Sequence, residues 1–234
     1  MSLSKTGISY GDFGWNPCGC SCTKGCDGCW VHDKVARRQK CPLCRQMAIH
    51  FHPERLGDPA KRKKPATILV QFTGELFDPE RSTAEIDRVL GAIEGAPRHD
   101  YVFLTQQPER MRGWGKWWAM PHVFPGVTVH NRGEYWDRVA AYVPLWKTWI
   151  SAEPLRGPLA MPDMDVISGV IVGCDNRPNT PFDLRWYESI VEQCAEAGVP
   201  CFVKQIQING KCVTDPARFP EHLRVRQLPW RLRT

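Results

Sequence analysis

The stretch "TILVQFTGELFDPE" (Thr67–Glu80) joins an apolar run to a polar end and then to a proline. The run Thr67 to Phe72 reads as a short strand buried on both faces, as strands of parallel sheets are. Pro79 suits a first helical turn, and the stretch to Glu94 predicts a helix. Strand, polar end and helix together make one βα unit. The same unit recurs through the chain. Further apolar runs are Tyr101 to Leu104, Gly126 to Val129, Thr148 to Ser151, Gly169 to Gly173 and Cys201 to Lys204. Helices are predicted over Arg132 to Tyr142 and over Pro181 to Ala197, the latter closed by Gly198. With an initial strand near Ile8, six or seven βα units surround a parallel sheet, an α/β architecture.

Each run ends in polar residues: "TGE" (Thr73–Glu75), "TQQ" (Thr105–Gln107), "SAEP" (Ser151–Pro154), "GCDN" (Gly173–Asn176) and "KQ" (Lys204, Gln205). In parallel α/β folds the C-terminal strand ends form the active-site rim, so chemistry is expected there. Glu75 and Glu153 also have a plain reading as helix N-terminal charges favoured by the macrodipole. Lys204 reads either as a solvated strand end or as a partner for an anionic substrate.

A chain of 234 residues with 42% hydrophobic content can bury one sizeable core, so one main domain is expected. The start "MSLSKTGISYGDFG" has no apolar core of signal-peptide length, and no run approaches the roughly 18 apolar residues of a membrane span. A cytoplasmic protein without membrane contact is expected. Thiols there stay reduced, which directs 11 cysteines toward metal or redox chemistry rather than disulfides. The net charge of +6 is concentrated in "KRKK" (Lys61–Lys64) and in a tail carrying Arg224, Arg226, Arg231 and Arg233. Such patches suit nucleic-acid phosphates, and short basic runs are also ordinary solvated surface.

The segment "CGCSCTKGCDGCW" places Cys18, Cys20, Cys22, Cys26 and Cys29 within twelve positions, and "CPLC" adds Cys41 and Cys44. Cys22, Cys26 and Cys29 are spaced C-x-x-x-C-x-x-C. Three thiolates in one loop can hold three irons of a 4Fe-4S cubane and leave the fourth iron open. Zinc also accepts C-x-x-C spacing. The position of the triad, after the first strand and before a helix predicted from near Trp30, favours the cluster. Cys18, Cys20, Cys41 and Cys44 then remain as four thiolates for a structural zinc site, unless Cys18 or Cys20 supplies the first cluster ligand. His50 and His52 alternate along a predicted strand and would face one side, as structural histidines or as ligands. Cys194 and Cys201 read as buried apolar residues, and Cys174 falls at a strand end. Trp114, Trp117 and Trp118 read as core or lid packing.

The triad spacing is similar to that of radical S-adenosylmethionine (SAM) enzymes. Taken in order, "WNPCGCSCTKGCDGC", "IHFHPERL", "FTGELFDPE", "FLTQQPERM", "ISAEPLRGP", "GVIVG" and "CAEAGVPCFVKQ" resemble a phage- and prophage-borne radical-SAM-like family, from about Trp15 to Gln205. The resemblance implies a single radical SAM-like domain over residues 1–234, a partial (β/α)6-type TIM-like barrel with a Cys-rich segment at 15–65. It implies a 4Fe-4S cluster and SAM at the strand ends, cleavage of SAM, and hydrogen abstraction from a substrate. Gly74 and Glu75 would meet the methionine amine, Ser151 and Glu153 the ribose or substrate, and Gly173 and Asp175 the adenine, although Asp175 and Asn176 depart from the acidic-glycine pattern there. A modified nucleobase in phage DNA is the implied substrate, and a flavodoxin or ferredoxin the implied reductant, in a bacterial or phage-infected cytoplasm. The competing reading is a non-enzymatic zinc-binding module that contacts nucleic acid.

Overall fold

The computed structural model describes residues 3–26, 28–140, 146–177 and 180–230. The chain divides into two compact units, Met1–Phe124 and Pro125–Thr234. Each unit is built on one five-stranded mixed sheet.

In the first unit the strands are β1 (Ser4–Lys5), β2 (Phe13–Trp15), β3 (Thr67–Val70), β4 (Asp100–Phe103) and β5 (Val123–Phe124), in that spatial order. Strands β2 to β5 are parallel, with Trp15 opposite Val70 and Val70 opposite Phe103. Only the short β1 runs antiparallel. In the second unit β6 (Gly126–Thr128), β7 (Thr148–Ala152), β8 (Ile167–Gly173) and β9 (Cys201–Ile208) are parallel, and β10 (Lys211–Val213) turns back on β9 through Asn209 and Gly210, both at positive φ. That pair of left-handed residues is what a two-residue hairpin turn demands. The α/β class and the parallel strands agree with the sequence reading. Each sheet is open with two edge strands, so neither is a closed barrel.

All four residues of β3 are buried, as the unbroken apolar run requires. The helix Thr83–Glu94 covers its sheet with Ile86, Val89, Leu90 and Ile93, the i, i+3, i+4, i+7 stripe of an amphipathic helix. Burying these four side chains contributes roughly 6–12 kcal/mol before entropy is counted. The helix begins later than Pro79 because Ser82 caps it, accepting from the Glu85 amide. Likewise Asp183 caps Leu184–Ala197, and Gly198 ends it at φ +66°.

Four local expectations change. The first parallel strand lies at Phe13–Trp15 rather than near Ile8, because Ile8 to Gly11 form a turn closed by the Gly11 amide on the Ile8 carbonyl. No strand forms at His50 and His52; that segment is irregular. The region from Val31 to Arg38 is π- and 3-10-helical rather than a regular helix. Of the helix expected over Arg132 to Tyr142, Arg132–Tyr135 is α-helical and Trp136–Ala140 is a π turn, while residues 141 and 142 lie outside the described residues. Trp117 and Trp118 are buried, Trp118 edge-on to Phe77 and Phe103, so this tryptophan segment is core. Among the described residues no helix is long and apolar enough to cross a membrane.

Candidate functional site

The loop carrying the cysteine triad leaves the C-terminal end of β2 and is held there by residues that follow β3. Gln71 sits at φ +59°, a strained position for a non-glycine residue. From it the side-chain amide accepts from the Cys18 N–H at 3.0 Å and donates to the Gly19 carbonyl at 2.7 Å. Thr73 Oγ1 donates to the same carbonyl, and the Thr73 amide donates to Asn16 Oδ1. Gly74 packs so close that an added Cβ would stand 2.5 Å from the Ser21 carbonyl oxygen, and the Glu75 amide donates to that oxygen. Asp78 accepts from the Thr23 amide at 2.7 Å and from its hydroxyl. The buried Arg81 guanidinium donates to Ser21 Oγ and to the His50 carbonyl while pairing with Glu85. "TGELFDPER" is therefore a clamp on the cysteine loop.

Within that loop Cys22, Cys26 and Cys29 are partly exposed, whereas Cys18 and Cys20 are buried. Burial pushes the Cys18 thiol up to about 12 and the Cys20 and Cys22 thiols to about 11. The Gln106 side-chain amide, beyond β4, lies 3.7 Å from Cys26 Sγ. The Cys29 amide bonds back to the Cys26 carbonyl.

Glu75 is a buried rim carboxylate. It accepts from the Gln106 amide, the Phe77 amide and the Thr105 hydroxyl at 3.1, 2.9 and 2.7 Å, tying the end of β3 to the end of β4. Burial nonetheless raises its pKa. Glu75→Gln turns an NH2 group toward one of the two backbone amides whichever way the carboxamide is set. We expect a loss of about 1–3 kcal/mol in denaturant unfolding, the cost of a buried donor left unmatched.

A second group forms beside the loop. Cys41, Cys44, His50 and His52 place one ligand atom each within 4.8 Å of all the others, a Cys2His2 arrangement that can hold a metal ion such as zinc. No other group of three or more such side chains is gathered this way among the described residues. The sequence reading had combined Cys41 and Cys44 with Cys18 and Cys20. The structure instead brings in the two histidines, because the Cys41-Pro42-Leu43-Cys44 turn opens the short helix Pro42–Arg45 and faces the irregular segment at 48–52. Cys20 borders the group, its amide donating to Cys44 Sγ at 3.5 Å. The amides of Cys44 and Leu43 lower the Cys41 thiol pKa, while burial raises that of Cys44.

In the second unit the residues singled out from sequence also gather at C-terminal strand ends. Ser151 Oγ donates to Glu153 Oε2 at 3.3 Å, and Lys204 Nζ lies 2.6 Å from Glu153 Oε1. An added Cβ on Gly173 would stand 3.0 Å from that same oxygen. Asp175 pairs with Arg177 at 2.8 Å, which holds its carboxyl below the usual range. Gln205, buried, donates to the Cys174 carbonyl and to Asn176 Oδ1. Lys204 is thus a paired rim cation. His130, after β6, was not singled out from sequence; its Nδ1 meets the Pro154 carbonyl at 2.9 Å.

The basic segments stand elsewhere. Lys61 to Lys64 precede β3 and line a recess of about 340 Å³ with Phe13 and Asp58, at the N-terminal ends of β2 and β3, opposite the cysteine loop. Arg62 lies over the Phe13 ring, and Lys61 pairs with Asp58. Arg226 covers Phe202 and donates to the Val203 carbonyl, and Arg224 donates to the Phe219 and Ala217 carbonyls, so both fasten the tail to its unit. Arg231 and Arg233 lie outside the described residues.

No curated protein and no solved structure matches the chain. The model of the family described as "Protein of unknown function (DUF5131)" matches residues 5–219, and the chain belongs to that family.

Proposed function

We propose that the chain is a radical SAM enzyme in which Cys22, Cys26 and Cys29 hold a 4Fe-4S cluster with one iron open to SAM. The observation that carries this reading is placement. Three partly exposed cysteines stand on a loop at the C-terminal end of a parallel strand, clamped to the residues that follow the next two strands. Thiolates that bind different irons of a cubane stand farther apart than ligands of one ion, which fits a triad that is not gathered around a single point.

When bound, the cluster would pass one electron from a reductant such as flavodoxin or ferredoxin to SAM, whose carbon-sulfur bond breaks to give methionine and a deoxyadenosyl radical that takes hydrogen from the substrate. The chain's own residues bind and orient. Gln106 directs its amide at Cys26, and N–H contacts to cluster sulfurs tune such sites. Gly74 keeps the backbone against Ser21, and Ser151, Glu153, Gly173 and Asp175 offer polar groups for SAM at their own strand ends. The partial (β/α)6-type barrel belongs to the same proposal, and what supports it is that in each unit the parallel strands carry these residues at their C-terminal ends. A nucleobase in nucleic acid, the substrate that the resemblance suggests, would reach a rim that Lys61 to Lys64 do not border.

The test is turnover. Anaerobically reconstituted, reduced protein should convert SAM to 5′-deoxyadenosine and methionine. Protein that carries about four irons per chain and leaves SAM intact would overturn the reading. A colourless protein that takes up zinc alone would establish the non-enzymatic module, which the Cys2His2 group favours.

A further inference from the structure

We infer that Cys41, Cys44, His50 and His52 form a closed, tetrahedral zinc site that is separate from the cysteine triad and fixes the loop on which the triad stands. The first argument is distance. With the usual zinc-sulfur and zinc-nitrogen bond lengths, the edges of a Cys2His2 tetrahedron are about 3.3 Å between nitrogens and about 3.6 Å between nitrogen and sulfur. The two histidine Nε2 atoms are 3.0 Å apart, and Cys44 Sγ lies 3.2 and 3.6 Å from them. Cys41 Sγ lies 4.0 Å from His50 Nε2. These values lie within about 0.4 Å of the tetrahedral edges, and the widest separation in the group is 4.8 Å, so Cys41 would close in by about an ångström on an ion held by the other three.

The second argument is protonation. His50 Nδ1 lies 2.7 Å from the Ala48 carbonyl, which can only accept, so the proton is on Nδ1 and the Nε2 lone pair faces inward. His52 Nδ1 lies 3.0 Å from the Glu54 carboxylate, which fixes the same tautomer. A backbone carbonyl and a carboxylate behind two histidines are the outer shell that zinc-binding imidazoles use.

The third argument decides the metal. In a two-iron cluster with mixed ligands the histidines bind one iron and the cysteines the other. Here Cys44 Sγ is in contact distance of both histidines, so the ligands converge on one ion. Four protein ligands of this type with no open position define a structural zinc site.

The site also has a purpose in the fold. The His52 amide donates to the Pro17 carbonyl, the Cys22 amide to the Met47 carbonyl, the Cys20 amide to Cys44 Sγ, and Arg81 joins the His50 carbonyl to Ser21. Segment 41–52, which has little core of its own, is thereby held rigid against residues 17–22, as metal sites do for small coreless regions.

The full chain would be stripped with chelator and reductant and refilled with Zn2+ or Co2+. About one equivalent should bind, Co2+ giving the intense visible bands of a tetrahedral site, and X-ray absorption of the zinc form should show two sulfurs and two nitrogens. The Cys22→Ala, Cys26→Ala, Cys29→Ala triple variant, which has no cluster ligands, should keep its equivalent, as should Cys18→Ser. Cys44→Ser and His50→Ala should each lose it. A sulfur count of three or four in the unsubstituted protein, a six-coordinate Co2+ spectrum, or zinc lost with the triad would each overturn the inference. Failure of SAM cleavage would leave every one of these readouts unchanged.

Discussion

Cys26→Ala should lose the iron expected of the reconstituted protein, from about four per chain to background, and the proposed SAM cleavage should disappear with it while zinc stays at about one per chain. The reason is the absence of a substitute. Cys22 and Cys29, the other two members, are themselves proposed ligands, and the remaining nearby thiols are held elsewhere. Cys18 is fully buried with its amide on Gln71, and Cys20 is buried with its amide on Cys44 Sγ. Moving either thiol to the triad would break the Gln71 and Thr73 bonds to Gly19 and expose two buried residues. For the same reason Cys22→Ala should lose the cluster as completely as Cys26→Ala. Iron and acid-labile sulfide analysis with the visible absorption spectrum reads the outcome. A full cluster in Cys22→Ala, with loss in Cys20→Ala or Cys18→Ala, would move the first ligand and break the proposed arrangement.

Much of this architecture was readable because its determinants are local. Unbroken apolar runs at Thr67, Thr148 and Gly169 give parallel strands, and their polar ends mark the rim, since both properties come from a few neighbouring residues. The helix start moved from Pro79 to Ser82 although "STAE" carries the capping signal; the proline was the weaker cue. Ile8 was read as a strand because its turn depends on Gly11, which packs against Leu69 so tightly that a Cβ would stand 2.5 Å from its Cγ. That contact crosses more than fifty residues. The clamp on the cysteine loop has the same character: Gln71 with Cys18, Asp78 with Thr23 and Arg81 with Ser21 are pairs that no spacing rule connects. The metal group shows both sides. Spacing alone paired Cys41 and Cys44, but choosing His50 and His52 over Cys18 and Cys20 required knowing which segment the Cys41-Cys44 turn faces. The two histidines do share a side, though in an irregular segment rather than a strand.

Gly19→Ala should be the most damaging change that replaces no ligand. Gly19 is at φ +61°, where an alanine costs about 1–2 kcal/mol in backbone strain. Its added Cβ would also stand 2.5 Å from His50 Nε2 and 2.6 Å from Cys44 Sγ, inside the space that the zinc ligands must share. Neither neighbour has room to retreat. His50 is fastened behind by the Ala48 carbonyl, and Cys44 lies in the buried cluster with Cys20, Val31 and Ala36. Gly19 itself is fixed by Gln71 and Thr73 on its carbonyl. Zinc affinity should therefore fall by at least the ten- to hundredfold typical of outer-shell changes, measured by competition with a chromophoric chelator. The thermal midpoint should fall too, and added zinc should restore only part of it, since the strain at φ +61° persists in the loaded form. Gly25 provides the control: it is also at positive φ, +60°, but nothing lies within 4 Å of its missing Cβ. Gly25→Ala should show the strain without the zinc loss. Equal zinc affinity in the two variants would mean that the space beside Gly19 holds no metal, and the Cys2His2 assignment would fall with it.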